Sequence, residues 1–357
     1  MGEIVAERLR ACCVLLAMLP LSGCFVVQAA AGQADVLSRS EPIAEVIADP
    51  QTPETVRARL ELAEQARTFA AQELGLPEGR SFRKYADLGR PYAVWNVVAT
   101  PEFSVEPRRW CFPVAGCVAY RGYFDEANAQ ALAQRLARRG DDVTVGGVAT
   151  YSTLGRLPDP VFNTMLGWAE VRFVGTIFHE LAHERLYVAG DSEFSEAFAS
   201  VVEREGLRRW LLARGDVAGL ERLNESAARE AEFAVLLRSA RRRLEQLYAS
   251  GADAATLRLE KQREFGRLKF EYSRLRARWS GYSGYDGWFA RTLNNAHLAA
   301  VATYHDCVPG LRRELEAAGS LPAFYARAAE LAELPLEQRR AAVCGDAAPR
   351  HEESRRR

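Results

Sequence analysis

Two histidines four residues apart, His179 and His183, are the residues of this chain best suited to chemistry. If their segment is helical, both imidazoles lie on one face, one turn apart, and can bind the same metal ion. Glu180 would then hold a water molecule against that metal. Since the chain has only five histidines in 357 residues, two at this spacing favour a Zn2+ site over ordinary surface or core histidines.

A carboxylate further along the chain could complete a His-His-Glu zinc site. Glu196 and Glu203 are seven residues apart and therefore share one face of a second helix. Glu196 cannot be reached from His183 along one straight helix, so a turn near Gly190 must fold the second helix back. Asp191 could cap this second helix or orient a ligand histidine.

The expected chemistry is metal-dependent hydrolysis of a peptide bond. Zinc hydrolysis uses three protein ligands and an open position for water, and Glu180 would act as general base and then general acid. Tyr304 could donate to the oxyanion that develops on the substrate. His297 and His305 lie near it in the sequence and are more often structural or surface histidines than catalytic ones.

The N-terminus is predicted to be a signal peptide, residues 1–23, that directs the chain out of the cytoplasm. Arg8 and Arg10 precede an apolar run, residues 11–21, that is too short to span a bilayer. Leu21-Ser22-Gly23-Cys24 then resembles the cleavage box of bacterial lipoproteins, in which the cysteine is lipidated. The alternative is an ordinary secretory signal with an incidental cysteine.

A lipidated Cys24 would anchor the protein in the bacterial cell envelope. Phe25 stands where an aspartate would signal retention in the inner membrane, so we expect an outer-membrane anchor facing the periplasm. Residues 24–50 would then be the lipid anchor and tether, and residues 51–357 the peptidase domain.

Four cysteines remain after Cys24, and an even number in an oxidising compartment suggests two disulfides. Sequence proximity favours Cys111–Cys117 and Cys307–Cys344 among the three possible pairings.

Composition limits the classes of partner. Lys plus Arg and Asp plus Glu each number 47, so no basic excess points to nucleic acid. With 48% apolar residues the chain can bury a substantial core. The expected partners are a peptide or protein substrate and, through the lipid, a membrane.

Periodicity predicts an α+β, predominantly helical fold with a small sheet. Within residues 220–279, apolar side chains recur every three or four positions in two runs, with a turn at 250–253 between the runs. This pattern predicts an inserted antiparallel helical hairpin. The hairpin could recruit a partner protein or simply pack on the core. Helices are expected at 52–74, 126–139, 161–188 and about 192–212, and strands at 92–98, 112–124 and 142–152.

The chain also resembles a bacterial family described as predicted aminopeptidases. The resemblance is carried by the lipoprotein box, by the zinc segment and by residues 28–33, 92–99, 110–117 and 120–124. It implies a zinc exopeptidase. Residues 196–203 resemble the segment that carries the glutamate ligand in aminopeptidase N-like and other thermolysin-type (gluzincin) peptidases, which implies a thermolysin-like pair of zinc helices.

In those enzymes the first glutamate of the segment is the ligand, which maps to Glu196, with Glu203 then bonded to a histidine. Glu203 remains the alternative ligand, because the gap from His183 to Glu196 is shorter than the corresponding gap in those enzymes. Glu203 would fit the longer gap better. An edge strand before the metal helix binds extended substrate in such peptidases, and residues 143–150 are placed for that role or simply as part of a sheet.

The sequence therefore predicts a zinc peptidase, either an aminopeptidase or an endopeptidase acting on envelope proteins. The Gly-Ala-Met-Glu-Asn signature by which aminopeptidase N relatives hold a free N-terminus has no counterpart in the chain. The rival outside the enzymes is a non-catalytic lipoprotein that the metal merely stabilises.

Overall fold

A computed structural model describes residues 20–112, 116–153, 155–302 and 307–344. The elements, numbered in chain order, are α1 (Pro20–Ser38), β1 (Ser40–Pro42), α2 (Ile43–Ala48), α3 (Glu54–Leu74), β2 (Lys84–Ala86), β3 (Val94–Thr100), β4 (Trp110–Phe112), β5 (Gly116–Val118), β6 (Arg121–Tyr123), α4 (Glu126–Ala137), β7 (Asp142–Val148), β8 (Val161–Phe162), α5 (Glu170–Arg185), α6 (Ser192–Ala213), α7 (Val217–Tyr248), α8 (Ala254–Arg278), α9 (Asp286–Phe289), α10 (Asn295–Ala302), α11 (Val308–Ala318), α12 (Leu321–Glu333) and α13 (Leu336–Val343). The predicted α+β, mainly helical class is confirmed.

Within the described ranges, no helix combines the length and the apolar character that crossing a bilayer would require.

The segment predicted as anchor and tether, residues 24–50, forms most of α1 together with β1 and α2. Val36 and Ile43 supply apolar side chains to the main core, where they are 0% and 1% exposed. The chain is therefore folded from α1 onward, and the physical reason is this burial of apolar side chains.

The main core lies where α3, α5 and α6 pack on one another. Pro53 is the N-cap of α3, and Gly75 ends the helix in the left-handed conformation with φ +65°. The helix predicted at 52–74 is confirmed. The buried face of α3, which includes Leu60, Ala66 and Leu74, contacts this core. The core supports the face of α5 opposite to the polar site described below.

The described strands form three small sheets, in the orders β1-β2-β8, β6-β3-β7 and β4-β5. In the second sheet β7 pairs only with β3, antiparallel, from Val94↔Val148 to Thr100↔Asp142. Helix α4 covers one face of this sheet, packing Leu132 and Leu136 near Trp95. The strand predicted in the 142–152 region is thus an edge strand.

The prediction of a single helix over 161–188 is wrong in its first part. Val161 and Phe162 form β8, parallel to Tyr85 and Ala86 of β2, and a short 3₁₀ turn follows over Asn163–Met165. Both β8 side chains are 0% exposed. Pairing with β2 buries these two residues completely, which a solvent-facing first turn of α5 would not do.

Helices α7 and α8 form the predicted antiparallel hairpin. Its seam is buried as expected, through Phe233, Leu237, Ala240, Leu244, Phe265, Leu268, Tyr272 and Leu275. Ion pairs join the hairpin to the β3–β7 end of the sheet: Lys261 Nζ lies 2.6 Å from Asp142 Oδ2, and Arg258 Nε lies 2.6 Å from Glu102 Oε1. The hairpin is therefore packed on the sheet, and two of its basic side chains pair with acidic residues of the sheet region rather than with solvent alone.

Both predicted disulfides form. Cys111 is bonded to Cys117 and joins β4 to β5. Cys307 is bonded to Cys344 and ties the start of α11 to the end of α13. The favoured pairing among the three possibilities is confirmed.

Candidate metal centre

The turn between α5 and α6 brings two polar helix faces together. Helix α5 ends where Leu186 adopts an extended conformation, and Gly190 has a φ of +84°. Asp191 then caps α6, with its Oδ1 accepting from the Phe194 backbone N–H at 3.2 Å. Its Oδ2 accepts from Arg339 Nε at 2.6 Å. Asp191 thus acts as a cap and a buried ion-pair partner, and its side-chain partners among the described residues are Phe194 and Arg339 rather than a histidine.

Three candidate ligand atoms converge on one point between these helices. His179 Nε2 lies 3.2 Å from Glu196 Oε2 and 3.2 Å from His183 Nε2. The distance from His183 Nε2 to Glu196 Oε2 is 3.6 Å. Among the described residues this is the one group of three or more metal-binding side chains close enough to share an ion.

The dimensions of this group fit a zinc ion. Ligands bonded to zinc at about 2.0–2.1 Å in a tetrahedron lie about 3.3–3.4 Å from one another. The three measured separations, 3.2, 3.2 and 3.6 Å, are close to that value. Two imidazoles and one carboxylate are also a donor set that zinc accepts.

Glu203 contacts the opposite side of the His179 ring and is not one of the three converging atoms. Its Oε2 is 3.0 Å from His179 Nδ1, and an ionised carboxylate can only accept, so Nδ1 carries the hydrogen. In a neutral His179 ring the hydrogen is then on Nδ1, and the lone pair of Nε2 could bind a metal ion. His183 differs, because its Nδ1 is buried with no hydrogen-bond partner in the described structure, and its ring rests against Tyr187 with centroids 6.1 Å apart.

Charge is balanced within the group. Burial alone would raise the pKa of Glu196, but hydrogen bonds from His179 and His183 hold that pKa at about 2. Burial would lower the pKa of His179, yet the bonds to Glu196 and Glu203 raise it well above its ordinary value. The Glu196 carboxylate is therefore anionic at neutral pH and is suited to binding a cation.

Glu180 is half-buried beside the ligand atoms. Burial raises the pKa of its carboxyl, His179 and His183 lower it, and Glu196 and Asp159 raise it. These interactions place the Glu180 carboxyl within electrostatic range of the three-atom group. A carboxyl with a raised pKa is suited to proton transfer near neutral pH.

Tyr120 also reaches this site, although the sequence did not single it out for chemistry. It lies between β5 and β6, and the residue is 40% exposed. Local burial raises the pKa of its hydroxyl, and Glu196 and Glu180 raise it further. The hydroxyl therefore stays protonated and can donate. Its position within the segment 120–124, which carries the family resemblance, is the only sequence signal that could have indicated it.

The other predicted site residues lie apart or outside the described chain. Tyr304 and His305 lie outside the described residues, so the predicted oxyanion role of Tyr304 stays a prediction. His297 is buried on α10, where its Nε2 lies 3.2 Å from Thr144 Oγ1 and its Nδ1 lies 2.7 Å from Asn294 Oδ1. It is a structural histidine that joins α10 to β7.

His297 makes the stability of the fold depend on pH. Burial and nearby Arg291 lower its pKa to about 4, below the value of about 6.5 in an unfolded chain. The unfolded chain therefore binds more protons between these values, and stability is complete above pH 6.5 and falls as the pH drops towards 4. We expect His297 to cost about 2 kcal/mol of unfolding free energy between pH 7.5 and pH 5.

Urea unfolding of the wild type and of His297→Gln at the two pH values measures this contribution. Glutamine keeps a polar partner for Thr144 and Asn294 but does not titrate. The free energy of unfolding of the wild type should fall more than that of His297→Gln between pH 7.5 and pH 5. An equal decrease in the two proteins would contradict the assignment.

Comparison with known proteins gives one match. The sequence profile of a family described as "Putative aminopeptidase" matches residues 24–343, which is most of the chain. The chain belongs to this family. Membership of the aminopeptidase family points to a peptidase, in agreement with the prediction from the sequence. The matched range includes Cys24, the three convergent ligand atoms, Glu203 and Tyr120. No similar protein was found among curated proteins or among solved structures.

Proposed function

We propose that this protein is a zinc-dependent peptidase of the gluzincin type. The observation that carries the proposal is the convergence of His179 Nε2, His183 Nε2 and Glu196 Oε2 within 3.6 Å of one another. Glu180, adjacent in sequence to the first ligand, supplies the acid-base group that a purely structural zinc site does not need. Family membership independently supports peptidase activity.

Each residue has a defined task in the proposed reaction. His179, His183 and Glu196 hold zinc, which when bound would activate a water molecule and polarise the scissile carbonyl. Glu180 takes the proton from the attacking water and passes it to the leaving amine. Glu203 fixes the ring of His179 through Nδ1. Tyr120 donates its hydroxyl hydrogen to the developing oxyanion.

The outer edge of β7 is the proposed docking line for extended substrate. Val148 O accepts from Ala93 N, so Val148 bonds inward to the β3 side and alternate residues face outward. One outward carbonyl, that of Val143, already accepts from Asn294 Nδ2 at 3.0 Å. The edge available to a peptide is thus the Val145–Gly147 stretch, shorter than the predicted 143–150.

We further propose that Cys24 is lipidated and that the protein works in the cell envelope. The signal-like residues 1–23 and the lipoprotein box support this location. Two disulfides support an oxidising compartment. Incorporation of labelled fatty acid into the wild type but not into Cys24→Ser tests it.

Zinc analysis combined with peptide digestion tests the proposed activity. The full-length protein, purified in detergent without chelators, should contain about one zinc per chain, and His183→Ala should contain little. The control His297→Gln should retain the metal, because this buried histidine is bonded elsewhere. A folded wild type without zinc would overturn the proposal.

Matched peptides with free and acetylated N-termini separate the two kinds of peptidase. An aminopeptidase cleaves only the free form, and an endopeptidase cleaves both. Zinc without cleavage of either, over a broad peptide library, would favour the non-catalytic lipoprotein instead.

Tyr120→Phe tests the proposed oxyanion donor. Loss of one such donor should lower kcat by about 10²- to 10³-fold and leave KM and zinc content nearly unchanged. Tyr92→Phe is the control, since Tyr92 is similarly exposed at 41% but packs against Trp95. Unchanged kcat in Tyr120→Phe would remove this residue from the reaction.

A further inference from the structure

The helix that contains Cys24, α1, contacts the body of the protein through the family-resembling segment 28–33. Gln28 Oε1 accepts from the Phe124 backbone N–H at 3.4 Å. A side chain at Gly32 would collide with the ring of Phe124, so α1 packs closely at this point. Gln33 Oε1 accepts from the Tyr151 hydroxyl at 2.8 Å. Three members of one sequence segment therefore hold α1 on the body.

Tyr151 begins a loop that leads from the sheet towards the candidate site. We define the site loop as residues 151–153 and 155–159. The Tyr151 ring packs edge-on against Phe124, with centroids 5.5 Å apart, and against Phe162 at 5.6 Å. Its hydroxyl is directed to Gln33. Tyr151 therefore connects α1, the sheet and the core at the entrance of the site loop.

A buried carboxylate fixes the shape of the site loop. Asp159 is 3% exposed, and its oxygens accept from Thr153 N at 2.7 Å, Thr153 Oγ1 at 2.8 Å and Ser152 Oγ at 3.1 Å. The two ends of the loop are thus bonded to each other. A displacement of Tyr151 would be transmitted through Ser152 and Thr153 to Asp159.

The site loop lies along one face of α5. A Cβ atom at Gly155 would lie 3.1 Å from the Glu184 side chain, so the loop backbone touches that residue. Glu180 and Glu184 are one helical turn apart and share a face. Asp159 in turn lies within electrostatic range of Glu180. The loop is therefore a wall of the site on the side of the proposed general base.

We propose that α1 is a structural part of the catalytic cleft, and that Gln33, through the Tyr151 hydroxyl, positions the site loop against the Glu180–Glu184 face of α5. Gln33 and Tyr151 are positioning residues, since they act through the loop. This inference rests on the proposed peptidase function for its kinetic consequence, but the mechanical link between α1 and the loop does not depend on it.

Three variants of the full-length, zinc-loaded protein test the link. Gln33→Leu and Tyr151→Phe each remove the bond, and the second keeps the aromatic ring and its packing. Both should raise KM for a peptide substrate about two- to tenfold, the change that loss of one ordinary hydrogen bond produces, with little change in kcat or zinc content. Gln33→Glu keeps an acceptor oxygen for Tyr151 and should restore the wild-type KM.

Hydrogen–deuterium exchange gives a readout that does not require catalysis. Amides of the site loop should exchange faster in Gln33→Leu and Tyr151→Phe and at the wild-type rate in Gln33→Glu. Tyr248→Phe is the matched control, since Tyr248 lies on the hairpin and the variant loses a 2.9 Å hydroxyl bond to Asn295 of α10. It should leave KM and loop exchange unchanged.

Unchanged exchange in both Gln33→Leu and Tyr151→Phe would overturn the inference. So would faster exchange of equal size in the Tyr248→Phe control, because the effect would then be a general loss of stability. If the wild type cleaves no peptide, the proposed function fails, while the exchange data still decide whether α1 holds the loop.

Discussion

Glu180→Gln should lower kcat for peptide hydrolysis by about 10²- to 10⁴-fold, the usual contribution of a general base, while the protein still binds zinc. Glutamine has nearly the same shape as glutamate but cannot accept the proton of the attacking water. The proposed ligands His179, His183 and Glu196 are unchanged, so the metal should remain. Single-turnover hydrolysis and zinc analysis on the same preparation measure both effects.

Glu170→Gln is the matched control for this experiment. Glu170 also lies on α5, but it is half-buried at the start of the helix and pairs with Arg214. It should hydrolyse peptide at the wild-type rate. Hydrolysis by zinc-loaded Glu180→Gln at a rate close to wild type would contradict the proposed role of Glu180 and leave the metal site intact.

The second large effect should distinguish the two glutamates of α6. Glu196→Gln removes one of three proposed ligands, so we expect zinc to be lost on dialysis and activity with it. Glu203→Gln leaves the ligands in place and loosens His179, which should lower zinc affinity about 10- to 100-fold. Competition with a chromophoric chelator measures both affinities.

Glu205→Gln serves as the control on the same helix, since Glu205 pairs with Arg208 and Arg209 away from the site. If Glu203→Gln loses zinc and Glu196→Gln retains it, Glu203 is the ligand. Equal, small effects of both variants would contradict a His-His-Glu site.

The helices of the site could be predicted because their signals are local. A histidine pair at helical spacing, a glycine break and an aspartate cap define α5, the turn and α6 within a few residues. The hairpin was predictable for the same reason, since its seam repeats regularly. These features depend on periodicity and caps, which a single sequence contains.

Other parts of the site depend on distant contacts that periodicity does not encode. Tyr120 lies within electrostatic range of Glu196 although it is 76 residues earlier in the chain. Val161 is not part of the predicted helix, because it pairs with the β2 strand far upstream. Residues 24–50 contain few sequence signals of secondary structure. This segment is ordered because Val36 and Ile43 are buried in the main core. Such placements follow from tertiary packing rather than from local propensity.

The folding of α1 determines how far a lipid-anchored protein could move. Cys24 lies within α1, and Gln33 follows nine positions later in the same helix, a rise of roughly 14 Å. A lipid on Cys24 would therefore be joined to the site loop by a rigid helix, with no flexible chain between them. Such an enzyme would be held at a nearly constant height above the bilayer and would meet its substrates at the membrane surface.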